Sequence, residues 1–156
     1  MRRPAVITVT AVIAGCSVIA ASSAGAATHK PKPKPLKVIK GAYTATAVPD
    51  PTMDATAQVG MECKNLDPES VDNHPLSLPG TGTLKIVLDS PDPSSKNKLD
   101  WDLHLLDAKG NVISSSNGPT AHEEIDQPNV KGKVTIRACN LIGEPTANIS
   151  YVFTYR

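Results

Sequence analysis

Hydrophobic and polar residues alternate along most of the chain beyond residue 37, with a period of two residues. In residues 83–89, the apolar side chains of Leu84, Ile86 and Leu88 are separated by mostly polar ones, and residues 149–155 repeat the pattern. Because alternate side chains of a strand point to opposite faces, this period predicts half-buried β-strands. No window beyond residue 26 keeps helical spacing for ten residues, so we predict an all-β fold.

Proline, glycine and asparagine divide these segments into short strands. Pro49-Asp50-Pro51 and Pro79-Gly80 are predicted to end two of them, and Asp107-Ala108-Lys109-Gly110 is predicted to form a hairpin turn. The segments between the turns give about eight strands, at residues 38–48, 57–63, 76–78, 83–89, 99–105, 111–115, 134–139 and 149–155. This spacing is typical of an antiparallel β-sandwich.

The segment 99–105 has an apolar and a polar face. Trp101 shares the apolar face with three leucines, so we expect it in the core rather than on a binding surface. The opposite face carries Asp100, Asp102 and His104, and we expect His104 to be an ordinary solvated histidine.

The first 26 residues have a different character. Arg2 and Arg3 precede an uncharged run from residue 4 to 21, and Ala24-Gly25-Ala26 places small residues before a cleavage point. A membrane-spanning helix needs about 20 strongly apolar residues, and this run is shorter. Residues 1–26 are therefore predicted to be a secretory signal peptide, with no integral membrane span in the mature chain.

An alternative reading exists within this segment. Residues 12–16 end in Cys16 and are similar to the motif in which bacterial lipoproteins carry a lipid on cysteine. The alternative to soluble secretion is thus an anchor to the cell envelope through Cys16. Residues 30–35 alternate Lys with Pro, so residues 27–36 are predicted to form an extended tether, which leaves 37–156 as the folded domain.

Charge limits the class of partner. The chain has 16 basic and 15 acidic residues, and loss of Arg2 and Arg3 with the signal leaves 14 basic ones. From Gly41 onward, nine basic residues face 15 acidic ones. This mildly acidic balance argues against nucleic acid as a partner.

The cysteines predict a covalent cross-link. Once Cys16 is set aside, Cys63 and Cys139 remain as an even pair in an oxidising compartment, where a disulfide is the expected state. Both cysteines end alternating segments. Cys139 follows Ala138, which is predicted to face inward, so we expect a bulge or the end of the strand to turn its side chain toward Cys63.

Five acidic residues form a candidate calcium site, because hard cations take several oxygen ligands. They are Asp100, Asp102, Asp107, Glu123 and Glu124. The alternative is that these carboxylates accept hydrogen bonds from loops or are solvated. The four histidines show no zinc-ligand spacing, and no nucleophile motif occurs.

The second half of the chain carries a set of short motifs. Asp100-Trp101-Asp102-Leu103 is followed by the hairpin glycine Gly110, with Leu76-Ser77-Leu78-Pro79-Gly80 before it and Glu123-Glu124 and Gly132-Lys133-Val134 after it. This pattern resembles the bacterial pre-peptidase C-terminal domain. The resemblance implies a jelly-roll-like sandwich, an accessory role beside secreted enzymes and, as in some relatives, calcium bound by acidic residues.

These observations predict a secreted, non-catalytic β-sandwich module that binds a cell-envelope polymer or another secreted protein. The alternative is a small secreted hydrolase, a glycosidase or a peptidase, that uses paired carboxylates. A third possibility is a purely structural envelope protein.

Overall fold

The computed structural model describes residues 32–51, 63, 66–89, 91 and 100–156. The described residues form six strands and one short 3-10 turn at Pro68–Ser70. The strands are β1 (Lys37–Thr46), β2 (Val71–Asp89), β3 (Asp100–Leu106), β4 (Val112–Ser116), β5 (His122–Ile142) and β6 (Thr146–Tyr155). The prediction of an all-β, antiparallel fold is confirmed.

All strand pairs are antiparallel, in the order β1-β6-β2-β5-β3-β4. Two strands are unusually long, with 19 residues in β2 and 21 in β5. Residues 71–78 of β2 pair with residues 132–139 of β5, whereas residues 82–89 of β2 lie between β5 and β6. Each long strand therefore belongs to two differently paired regions of the sheet.

The strand count differs from the prediction because Pro79-Gly80 does not end a strand. β2 continues through these residues, and its register with β5 shifts between Leu78 and Leu84. Proline is tolerated at such an irregularity because no regular ladder hydrogen bond is required of it. Two predicted strands are thus one. The strand predicted at 57–63 lies outside the described residues except for Cys63.

One hydrophobic cluster joins the two regions of the sheet. It contains Leu84, Ile86 and Leu88 of β2 together with Trp101 of β3 and Phe153 of β6, all fully buried. The predicted inward positions of β2, β5 and β6 are therefore confirmed. Trp101 lies in the core, as expected.

Gly82 allows β2 and β6 to approach closely where β2 is irregular. A β-carbon at this position would meet the backbone oxygen of Thr154 and the ring of Phe153. The predicted hairpin turn after β3 also depends on a glycine, since Gly110 has a φ of 84° and its N–H donates to the carbonyl oxygen of Asp107 at 3.0 Å.

The described part of the predicted tether, residues 32–36, is exposed and has no regular secondary structure, and β1 begins directly after it. At the other end of β1, Asn140 joins neighbouring segments. Its side-chain amide donates to the carbonyl oxygen of Ala47 at 2.7 Å and to that of Glu144 at 2.9 Å. The chain after β1 is thereby held against β5.

Candidate functional site

The strand β3 carries most of the predicted chemistry, and all seven of its residues are buried. Only 3% of Asp100, 1% of Asp102 and 3% of His104 is exposed to solvent. The prediction that His104 is solvated is wrong. Asp100 and Asp102, for which hydrogen bonding within the fold was the alternative to solvation, are buried as well, so both faces of β3 are shielded from solvent.

Cys63 lies on the outer face of β3. Its sulfur, a carboxylate oxygen of Asp102 and a ring nitrogen of His104 all lie within 4.8 Å of one another. Cys139 is the cross-strand partner of Asp102, so it points to the same face. Cys63 therefore packs against the polar side chains on this face of β3.

The predicted Cys63–Cys139 disulfide is confirmed, with 5.8 Å between the two α-carbons. Its surroundings differ from the prediction in one respect. Cys139 lies within β5, paired with Val71 on one side and Asp102 on the other, rather than at a strand end. Ordinary alternation after buried Ala138 turns Cys139 outward, and Cys63 meets it from outside. No bulge is needed.

Glu123 lies near the start of β5 and is buried, with 2% of its surface exposed. One of its carboxylate oxygens accepts a hydrogen bond from the hydroxyl of Ser116, and the other accepts one from the N–H of Gly118 at 2.8 Å. The charge of Glu123 acts on Asp100. Two of the five candidate calcium ligands are thus buried and near enough to interact electrostatically.

The other three candidate ligands have different environments. Asp102 lies beside Cys63 and His104. Asp107 belongs to the hairpin turn, where one carboxylate oxygen accepts from the N–H of Lys109 at 2.8 Å and of Asn111 at 2.9 Å. Glu124 points away from the core and is exposed. The five carboxylates therefore do not form a single cluster.

His104 is oriented by the loop after β4, since its Nε2 lies 3.1 Å from the side-chain oxygen of Asn117 and donates to it. Among the described residues, the one grouping with the composition of a metal site is Cys63, Asp102 and His104. The Cys63 sulfur is already bonded to Cys139. The disulfide thus removes the thiolate that a metal would require.

Burial raises the pKa of Asp100 from 3.8 to about 6, and the nearby negative charge of Glu123 adds to the effect. Between these two pH values the folded state keeps a proton that the unfolded state has released. The contribution of Asp100 to stability is therefore fully present below this window and is lost as the pH rises through it.

We expect the difference in the free energy of unfolding between wild type and the Asp100→Asn variant to change between pH 3.8 and about pH 6, with the wild type losing stability relative to the variant as the pH rises. Urea denaturation at closely spaced pH values measures this. Asp107→Asn is the matched control. Hydrogen bonds from Asn111 lower the pKa of Asp107, so the titration of Asp107 affects stability only below pH 3.8. A wild-type profile that Asp100→Asn leaves unchanged would assign the slope to other groups.

The sequence analysis did not identify a group of basic residues on the outer face of β5. Lys131, Lys133 and Arg137 lie at positions between the inward-facing residues of this strand, where they line open grooves on the outer surface. The signal was present in the alternation itself, because residues between Val134, Ile136 and Ala138 must face outward.

No protein-family model matches the chain, and no curated protein is significantly similar to it. Within the described part of the chain, no helix has the length and apolar character needed to cross a membrane.

Proposed function

We propose that this protein is a secreted, non-catalytic β-sandwich module that binds to the cell envelope as an accessory protein. The observation that carries the proposal is the burial of every side chain considered for catalysis on β3. Asp100, Asp102 and His104 are each at most 3% exposed, and Cys63 lies against Asp102 and His104, so these side chains support packing rather than contact with a substrate.

Export is supported by the disulfide, because such bonds form and persist in oxidising compartments. The bond joins residues 76 positions apart and lies in the interior, with Cys139 fully buried. The proposed signal peptide, residues 1–26, and the alternative lipid attachment at Cys16 lie outside the described residues.

An accessory sandwich of the pre-peptidase C-terminal type agrees with several local features. The motif Asp100-Trp101-Asp102-Leu103 forms β3, and Gly110 closes the hairpin that follows. The single core shared by β2, β3, β5 and β6 is what two packed layers would require. These features support the family as a proposal about architecture and role.

The hydrolase remains the second candidate because of one observation. Asp100 has a pKa of about 6 beside Glu123, and a paired-carboxylate hydrolase uses one carboxyl group with such a raised pKa as a general acid. The exposed fractions of 3% for Asp100 and 2% for Glu123 weigh against this reading, since a glycosidic oxygen must reach the acid directly.

Co-sedimentation with purified bacterial cell-wall fragments tests the proposal. We expect the exported protein to pellet with the fragments and to leave them intact, with no sugars or peptides released into the supernatant. Release of soluble products that is abolished in Asp100→Asn would establish the hydrolase instead. A protein that neither pellets with the wall nor degrades it would contradict the binding role.

A further inference from the structure

Two open grooves meet on the outer surface of the sheet. The first has a volume of about 660 Å³ and lies between the irregular part of β2, the hairpin turn after β3 and residues 129–134. The second, of about 520 Å³, follows the outer faces of β2 and β5. Asp107, Ala108, Lys133 and Val134 line both grooves, so the two grooves adjoin along these residues.

Basic side chains are concentrated in these two adjoining grooves, which we together call the basic groove. Its basic residues are Lys109, Lys131, Lys133 and Arg137. They are four of the nine basic residues beyond Gly41, whereas Asp107 is the one acidic residue among the described residues that line it. The carboxylate of Asp107 already accepts hydrogen bonds from Lys109 and Asn111 in the turn.

Among the described residues, strand pairing gives neither Lys133 nor Arg137 an acidic cross-strand neighbour. The partner of Lys133 in β2 is Ser77, and the partner of Arg137 is Asn73, whose side-chain oxygen accepts a hydrogen bond from Arg137 Nε at 2.9 Å. Lys85 shows the contrasting arrangement. It stands opposite Asp126 and forms an ion pair with it at 2.8 Å. The charge of the basic groove is therefore available to an external anion.

The spread of the charges indicates the size of that anion. Lys133 and Arg137 lie four residues apart on one face of β5, which corresponds to roughly 13 Å along a strand. A single phosphate or carboxylate cannot contact both. A linear polymer that carries a charge on each repeat can follow the groove and contact several of these side chains at once.

The uncharged residues that line the basic groove indicate the chemical nature of the units that link the charged groups of such a polymer. Ser77 and Thr135 offer hydroxyl groups along the groove, and Pro75 and Ile113 offer apolar surface. A hydroxylated carbon chain matches both kinds of surface. Phosphodiester groups retain their charge at all physiological pH values, and lysine and arginine are the side chains that proteins use to bind them.

We propose that the basic groove binds a linear polyanion in which phosphodiester groups join short polyhydroxylated units. This assignment rests on the proposed envelope-binding function and names the class of polymer that the module recognises. The contacts are electrostatic and solvent-exposed, so binding weakens as salt concentration rises.

Titration of the exported protein with purified poly(glycerol phosphate) tests the assignment, with isothermal calorimetry at several salt concentrations. We expect binding at low salt, and we expect the Lys131→Gln/Lys133→Gln variant to bind about tenfold more weakly, with the dependence of log K on log salt reduced by about two. Lys85→Gln is the matched control, because it removes an exposed lysine that is paired with Asp126 outside the groove. Thermal melts of both variants establish that each is folded.

Two further ligands and the wall fragments separate the possible outcomes. Equal affinity for poly-glutamate, or tighter binding to phosphatidylglycerol vesicles, would overturn the phosphodiester assignment. Equal binding of poly(glycerol phosphate) by wild type and the Lys131→Gln/Lys133→Gln variant would overturn the groove as the site. If that variant still pellets with wall fragments as wild type does, the groove assignment fails while the envelope-binding function stands.

Discussion

Replacing Cys63 and Cys139 together with alanine should lower the free energy of unfolding by about 4 kcal/mol. The disulfide closes a loop of 76 residues, and the loss of loop entropy in the unfolded chain predicts a stabilisation of this order. The effect should be visible in urea denaturation as a lower midpoint. The folded state should also lose the covalent bond that holds residue 63 beside Asp102 and His104.

Reduction provides the control for this prediction. Dithiothreitol should destabilise the wild-type protein by a similar amount and should leave the double alanine variant unchanged. A variant as stable as wild type would mean that the disulfide contributes little to the free energy of unfolding.

Trp101→Ala should lower the free energy of unfolding by about 3–5 kcal/mol, the usual cost of deleting a large aromatic side chain from a core. Trp101 is fully buried and belongs to the cluster that joins β2, β3, β5 and β6. Chemical denaturation, followed by far-ultraviolet circular dichroism because the fluorophore is removed, measures the change.

Trp101→Phe separates ring packing from polar contacts. The indole Nε1 of Trp101 has no hydrogen-bond partner among the described residues. Phenylalanine keeps most of the aromatic packing and removes a buried N–H that forms no hydrogen bond. We therefore expect a much smaller loss than for alanine. Equal losses in the two variants would point to a role for the indole nitrogen.

The sequence predicted those features that depend on short-range pattern. Alternation located the buried faces of β2, β5 and β6, and Asp107 with Gly110 located the hairpin turn, because both signals act over a few residues. Cysteine parity predicted the disulfide. Trp101 was placed in the core for the same reason, since it alternates with three leucines.

The features that sequence could not predict depend on segments distant in the chain. Asp102 and His104 are buried on a face that alternation alone marks as polar, and Cys63, about 40 residues earlier in the chain, lies against both of them. Pro79-Gly80 has the composition of a turn, yet the pairing of β2 with β5 and β6 extends the strand through it. The basic groove likewise needs Lys109 from one hairpin beside Lys131 and Lys133 from another strand.

The measurement that tests the account most directly is the intact mass of the exported protein, with and without reduction and alkylation. The account predicts a chain that begins at Ala27 or Thr28, with no thiol that can be alkylated before reduction and two afterwards, at Cys63 and Cys139. A chain that begins at Cys16 and carries acyl groups would replace soluble secretion with a lipid anchor. Free thiols at Cys63 and Cys139 before reduction would contradict the disulfide-closed, exported module itself.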